Sequence, residues 1–262
     1  MKRVLTIAGS DSSGGAGIQA DLKVFAQLGV YGLSTVTAVT AQNSLGVQKI
    51  FKVAPRVVAA QIDSVTRDIG VDACKVGMLY SPQLVDVVAD RIHRRRIANV
   101  ILDPIVFAKD GTRLLTARAV ERMKRVLLPL ATLVAPNIGE AKLLSGIEVT
   151  DTATAAAAAQ KIAQFGSRYV LIKGGHLDGE PVDVLFDGQS VREFRGARVE
   201  GDPMRGTGCA LTAAIAALVA QGHEVPEAVA FAKQLVASAI EHSVKLGKGK
   251  VRFYSGRVEG VE

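Results

Sequence analysis

The chain begins with Val4-Leu5-Thr6-Ile7-Ala8, passes through Gly9-Ser10-Asp11-Ser12-Ser13-Gly14-Gly15-Ala16-Gly17, and continues as an amphipathic run over about 18–28. Five apolar or β-branched residues ending at glycine read as a short buried strand. The run after the loop spaces its apolar residues for one face of a helix. Strand, glycine-rich loop and helix in that order form the first half of a βαβ unit, and the pattern repeats along the chain. Val and Thr mark strands at 33–41 and 47–53, and Pro55 starts a helix reaching about residue 69. Short buried strands at 73–76 and 100–102 enclose a helix over about 81–96. A helix near 117–128 leads to a strand at 133–135, after which Asn137 caps a short helix. An alanine-rich helix over about 152–165 precedes a strand at 169–172, and strands at 182–186 and 191–194 flank Asp187-Gly188 as a hairpin. Helices over about 206–221 and 226–246 close the chain. Such alternation specifies an α/β fold, a mostly parallel central sheet with helices on both faces. With no linker, repeat or low-complexity tract, residues 1–262 are expected to form a single domain.

Composition narrows the function. Hydrophobic residues make up 48% and charged residues 22%, as in an ordinary globular protein. No apolar run is long enough to span a bilayer, and Met1-Lys2-Arg3 leads straight into a strand, so a cytoplasmic protein without membrane contact is expected. Cys74 and Cys209 form no metal or redox spacing, and a disulfide is not expected. The net charge of +7 includes two clusters, Arg91, Arg94, Arg95 and Arg96, then Arg113, Arg118, Arg122, Lys124 and Arg125. Both lie along helical segments, where basic runs are solvated faces. No nucleic-acid motif accompanies them and aromatic content is only 5%, so no nucleic-acid partner is expected.

Ligands in this architecture bind at the carboxyl ends of the strands. Gly206-Thr207-Gly208-Cys209 precedes a small-residue helix, whose unpaired N–H groups and positive dipole end would make an anion site. Cys209 on its first turn would be shifted toward thiolate by the same field, or would be a small buried hydrophobe. The loop at residues 9–17 lacks the Lys-Ser or Lys-Thr of a P-loop and the G-x-G-x-x-G spacing of a dinucleotide fold. It remains a strand-to-helix loop at the ligand edge, and for Asp21 beyond it, on the polar side of the helix, the bland alternative is a surface charge.

Lys173-Gly174-Gly175-His176 ends another strand, where Lys can neutralise phosphate; the bland alternative is a surface turn. Asn137 and Glu140, in Pro136-Asn137-x-x-Glu140, can order waters around magnesium or simply form a capping box. Asp103, at a further strand end, adds a carboxylate. Together these features point to a magnesium-dependent, nucleotide-using transferase.

The same residues resemble the hydroxymethylpyrimidine and phosphomethylpyrimidine kinases of thiamine biosynthesis, in the ribokinase-like superfamily. The resemblance runs through Thr6-Ile7-Ala8-Gly9-Ser10-Asp11, Gly17-Ile18-Gln19-Ala20-Asp21-Leu22-Lys23 and Ala41-Gln42-Asn43. It continues through Lys75-Val76-Gly77-Met78-Leu79, Leu102-Asp103-Pro104 and the motifs around Asn137, Lys173 and Cys209. It implies ATP-dependent phosphorylation of 4-amino-5-hydroxymethyl-2-methylpyrimidine, then of its monophosphate. By the resemblance, Asp21 and Gln42 would hydrogen-bond the aminopyrimidine while Gly9, Ala16 and Met78 shape its pocket. Cys209 would stand at the hydroxymethyl group, with Gly206, Thr207 and Gly208 forming the anion hole. Lys173 and Asn137 would serve ATP, Glu140 and Asp103 would hold Mg2+ through water, and the enzyme would be a homodimer.

The family pattern has His before Gly-Thr-Gly-Cys and Thr after it, where this chain has Arg205 and Ala210; Arg205 is expected to bring a fixed positive charge to the phosphates of ATP or of the monophosphate. The stretch 247–251 also departs from the family's glycine-rich motif. A vitamin B6 kinase on the same fold is the nearest alternative, and a non-catalytic ligand-binding protein is the alternative of another class.

Overall fold

In the computed structural model, which describes residues 1–108, 111–175, 180–196 and 204–254, the strands form one nine-stranded sheet. The first unit is β1 (Arg3–Asp11), α1 (Gly17–Gln27) and β2 (Tyr31–Asn43), with β1 and β2 parallel. β3 (Gly46–Lys52) folds back antiparallel on β2 as the edge strand. After α2 (Pro55–Asp68) the chain crosses to the other side of β1 and lays down β4 (Ala73–Val76), parallel to it. From there α3 (Pro82–Arg94), β5 (Val100–Leu102), α4 (Ala117–Val126) and β6 (Leu133–Val134) extend the parallel sheet, with α5 (Ile138–Ser145) and α6 (Thr152–Ala163) leading to β7 (Tyr169–Ile172). β8 (Val182–Phe186) and β9 (Val191–Arg195) complete the order β3-β2-β1-β4-β5-β6-β7-β8-β9. The reversal of winding between β1 and its two neighbours opens a crevice at the carboxyl ends of these strands.

Side-chain alternation divides the core into two layers. Leu5, Ile7, Cys74, Val76, Leu102, Val134 and Val170 face the layer covered by α2, α3, α4 and α6. Val4, Ala73, Ile101, Leu133 and Leu171 face the opposite layer, under α1, α7 (Thr207–Gln221) and α8 (Val225–Glu241). In α7, residues 209–218 are all buried, and its alanines let the helix lie close to the strands.

The expected helices and strands are present with small shifts at their ends, except at the carboxyl terminus. The helix expected to reach residue 246 stops at Glu241. Ser243 explains the stop, because its hydroxyl donates back to the Ile240 carbonyl and accepts from Arg252 Nε. A small hairpin of β10 (Val244–Lys245) and β11 (Arg252–Phe253), not anticipated from the sequence, follows. Gly249 N, in the atypical stretch, donates to Ser44 Oγ beside β2. Many of the clustered arginines have acidic partners: Arg91 and Arg95 meet Asp63, Arg94 meets Asp90, and Arg122 meets Asp86.

Asp21 is not on the surface. Thr6 and Lys75 share the face of the sheet that α1 covers, and Asp21 descends onto both. Lys75 Nζ lies 3.0 and 2.9 Å from the two Asp21 oxygens, and Thr6 Oγ1 donates to Asp21 at 2.6 Å. Both charged side chains are fully buried. Burial alone would lower the ammonium's pKa, but Asp21, with Cys209 and Asp103 nearby, outweighs it and raises Lys75 above its ordinary value. Removing one partner leaves an uncompensated buried charge. Lys75→Met should therefore cost about 3–5 kcal/mol in chemical denaturation, and Asp21→Leu with Lys75→Met should recover most of it. A single-variant loss of under about 1 kcal/mol would refute this account.

Candidate active site

The crevice at the switch in winding holds a cavity walled by strand ends and the start of α7. Gly9, Ser10 and Asp11 come from β1, Ala16 from the following loop, and Thr40 and Gln42 from β2. Met78 follows β4 and Asp103 follows β5, while Asn137, Glu140 and Lys173 enter from the far side. Arg205, Gly206, Thr207, Gly208 and Cys209 complete the wall. Of the expected site residues, all but Asp21 line this cavity. Asp21 lies beneath it, both oxygens engaged by Lys75 and Thr6.

The glycine-rich loop is organised by Asp11. Its Oδ1 accepts from Ser13 N and Oγ, and its Oδ2 accepts from Gly15 N, which curls the loop around the carboxylate. Gln19, one turn into α1, accepts from Asp11 N and donates to Ser10 Oγ. Ser12 joins the loop to β2 by donating to the Gln42 carbonyl and accepting from Gln42 N. The cavity walls formed by β1 and β2 are thus one bonded unit.

Gly206 brings α7 to this unit. It is the N-cap of α7 at φ +77°, a conformation that favours glycine. A Cβ there would stand 2.1 Å from the Gly15 carbonyl oxygen, so no other residue fits without movement. The first turn of α7 consequently opens into the cavity with no side-chain cap on its N–H groups. Gly208 allows a second close approach, since a Cβ there would lie 3.3 Å from Lys173 Nζ. The Lys173 ammonium and the helix start converge on one region of positive potential.

Acidic groups surround that region. Lys173 Nζ is 2.6 Å from Asp103 Oδ1, and Thr212 Oγ1 lies 3.4 Å from Asp103 Oδ2. Glu140 and Asn137 form a complete capping box: Asn137 Oδ1 accepts from Glu140 N and Glu140 Oε2 from Asn137 N. Glu140 Oε1 also accepts from Val106 N. Burial pushes the Glu140 carboxyl up to about 7, against the pull of Lys173 and with Asp103 adding to the rise. Among the described residues, no three His, Cys, Asp or Glu side chains gather as a metal cage. Two carboxylates already engaged with protein donors suit a magnesium ion carried mainly by phosphate oxygens and water.

One expectation changes here. Cys209 is not tuned toward thiolate: burial raises its pKa, outweighing the pull of Lys75 and of the Gly17 N–H. Arg205, expected at the phosphates of ATP or of the monophosphate, is anchored on the β2 side, its Nη1 donating to the Asn43 carbonyl at 2.7 Å. His176 lies outside the described residues. The sequence reading missed the wall supplied by Ile105, Phe107 and Leu114. Its only sequence signal was an aperiodic stretch after Asp103-Pro104, which carries no chemistry-bearing motif.

The phosphomethylpyrimidine kinase family pattern matches residues 11–253. The chain is 46% identical over 94% of its length to a Streptomyces coelicolor protein named hydroxymethylpyrimidine/phosphomethylpyrimidine kinase, covering 91% of that protein. It is also 46% identical to the thiamine biosynthesis bifunctional protein ThiED of Geobacter sulfurreducens, with 94% of this chain covering 50% of that longer protein. The solved structure of Bacillus subtilis pyridoxal kinase as an ADP complex superposes with TM-score 0.91 at 38% identity, covering 97% of both chains. The crevice and these likenesses together show that the chain belongs to the phosphomethylpyrimidine kinase family, phosphotransferases on a ribokinase-like fold.

Proposed function

We propose that this cavity transfers the γ-phosphoryl group of ATP to the hydroxymethyl oxygen of 4-amino-5-hydroxymethyl-2-methylpyrimidine and then to the resulting monophosphate. The product is the diphosphate used to build thiamine, made in the cytoplasm by a single kinase domain. One observation carries the reading: an uncapped α7 N-terminus lies between a ring-sized wall and a cationic wall. Gly9, Ala16, Met78 and Gln42 supply the first, and Lys173 with Asn137 the second. The Gln42 amide offers both a donor and an acceptor to a ring bearing an amine beside a nitrogen. Asp21, buried with Lys75, supports this wall from beneath.

Phosphoryl transfer depends mainly on positioning and charge stabilisation. In the first transfer the substrate oxygen forms a bond to the γ-phosphorus, the bond to the bridging oxygen breaks, and ADP leaves with that electron pair. The N–H groups at Gly206, Thr207 and Gly208 face the charge on the moving phosphoryl group. Lys173 neutralises the nucleotide phosphates, and Glu140 and Asp103 would hold Mg2+ through water. When bound, that ion offsets phosphate charge.

Cys209 accepts the hydroxyl proton in this first step, a task that requires its thiolate. Because burial raises the thiol pKa, the thiolate fraction rises about tenfold per pH unit below that pKa. The first transfer should therefore speed up between about pH 7 and 9. Cys209→Ser should slow it by about 10²-fold and flatten the profile. The monophosphate's acceptor oxygen carries no proton to lose, so the second transfer should be far less sensitive. A variant with a near-normal first rate would leave the thiol no chemical role.

The likeness to a pyridoxal kinase supports a second reading, a vitamin B6 kinase. Product analysis with ATP and magnesium distinguishes the readings, with the pyrimidine alcohol, its monophosphate and pyridoxine supplied in parallel. Mono- and diphosphate with little pyridoxine turnover is the expected result. Preferred pyridoxine turnover would favour the B6 reading, and no turnover would favour a binding protein.

A homodimer is also proposed, formed through the edge of the sheet. Val39 and Phe51 are directly paired across β2 and β3 and are 48% and 72% exposed. Sedimentation should find a dimer that Phe51→Lys converts to monomer; a monomeric parent protein would refute it.

A further inference from the structure

One buried charge has no role in the first transfer. Arg205 is 6% exposed, lines the cavity, and precedes the α7 N-cap by one residue. Its backbone N donates to the Arg252 carbonyl at 2.8 Å, and its Nη1 to the Asn43 carbonyl at 2.7 Å. No carboxylate among the described residues lies within ion-pair distance of it. A guanidinium has five N–H donors, and Asn43 takes one. A buried cation without a counter-charge is costly unless an anion completes it.

Its position indicates which anion. Asn43 ends β2, whereas Asn137 and Lys173 follow β6 and β7, with β1, β4 and β5 between the two sides. The Arg205 stem runs along the substrate loop, its Cδ 3.3 Å from where a Gly15 Cβ would stand. Arg205 therefore flanks the α7 anion site on the side of the acceptor, while Lys173 flanks it on the side of the donor nucleotide.

We propose that Arg205 is the specificity residue for the second phosphorylation and binds the phosphate of the monophosphate acceptor. This assignment rests on the proposed pyrimidine kinase function and deepens it. The first acceptor is a neutral alcohol. The second carries about −1.5 to −2 charges at pH 7 and must approach an equally anionic γ-phosphate. Repulsion in a partly desolvated cavity opposes that approach, and a fixed cation on the acceptor side offsets it only in the second step. A planar guanidinium can grip two phosphate oxygens at once. The Asn43 carbonyl holds one edge of that plane, and Arg252 in the terminal hairpin fixes its backbone. An acceptor phosphate oxygen then donates its electron pair to the γ-phosphorus, forming the new P–O–P linkage. The bond from the γ-phosphorus to the β–γ bridging oxygen breaks, and ADP leaves with that pair. Arg205 moves no proton.

Steady-state kinetics on the alcohol and on the monophosphate, run separately with full-length protein, Arg205→Gln and Arg205→Lys, test this. Arg205→Gln should lower kcat/KM for the monophosphate at least about tenfold more than for the alcohol, mainly through KM. Arg205→Lys, which keeps the charge but loses the fork, should recover part of that loss. The KM for ATP, measured with the alcohol, should change by less than about twofold. Equal losses on both substrates would mean a structural role, and a raised KM for ATP would move Arg205 to the nucleotide. A parent protein that phosphorylates the alcohol but not the monophosphate would overturn the Arg205 assignment alone. Turnover of neither would overturn the kinase reading and the assignment with it.

Discussion

The site depends on the contact between Gly206 and Gly15. Only a residue without a Cβ can turn the chain at φ +77° while nearly touching the Gly15 carbonyl. That contact sets where α7 begins, and with it where uncapped N–H groups meet the cavity. Gly15 in turn is held by Asp11, which bonds Ser13 and Gly15 together. The glycine-rich loop and the start of α7, some 190 positions apart in sequence, are therefore built against each other.

Beneath this contact, charges alternate in sign. Asp21 pairs with Lys75, Asp103 with Lys173, and Glu140 lies beyond them. Each of these five charges has an opposite neighbour, so none of them is left buried and uncompensated. The same arrangement holds Lys173 in place against Asp103 at the cavity wall. It also accounts for Cys209: burial, with Asp21 and Asp103 nearby, holds the thiol above its ordinary pKa against the pull of Lys75.

Much of the site could be read from the residues. Asn137 and Glu140 announced both a helix start and a cavity wall, because a capping box is encoded within four residues. The Gly-Thr-Gly-Cys turn announced the start of α7 for a similar reason. The burial of Asp21 was not legible, because helical periodicity reports which face is apolar, and a carboxylate on a buried face looks like a surface charge until its partner is known. That partner lies 54 positions away. The wall at Ile105, Phe107 and Leu114 left no periodic signature, since an irregular segment takes its shape from what it packs against.

The sequence by itself determined the alternating strands and helices, the glycine turns, the caps and the family, since each depends on residues close together along the chain. The tertiary structure alone decided that Lys75 sits under Asp21, that burial outweighs the pull of Lys75 at Cys209, and that Arg205 lies on the β2 side of the cavity. Those outcomes depend on strand order, and strand order depends on crossovers whose direction no local pattern records. Packing then determines which charges meet and how much water remains to screen them.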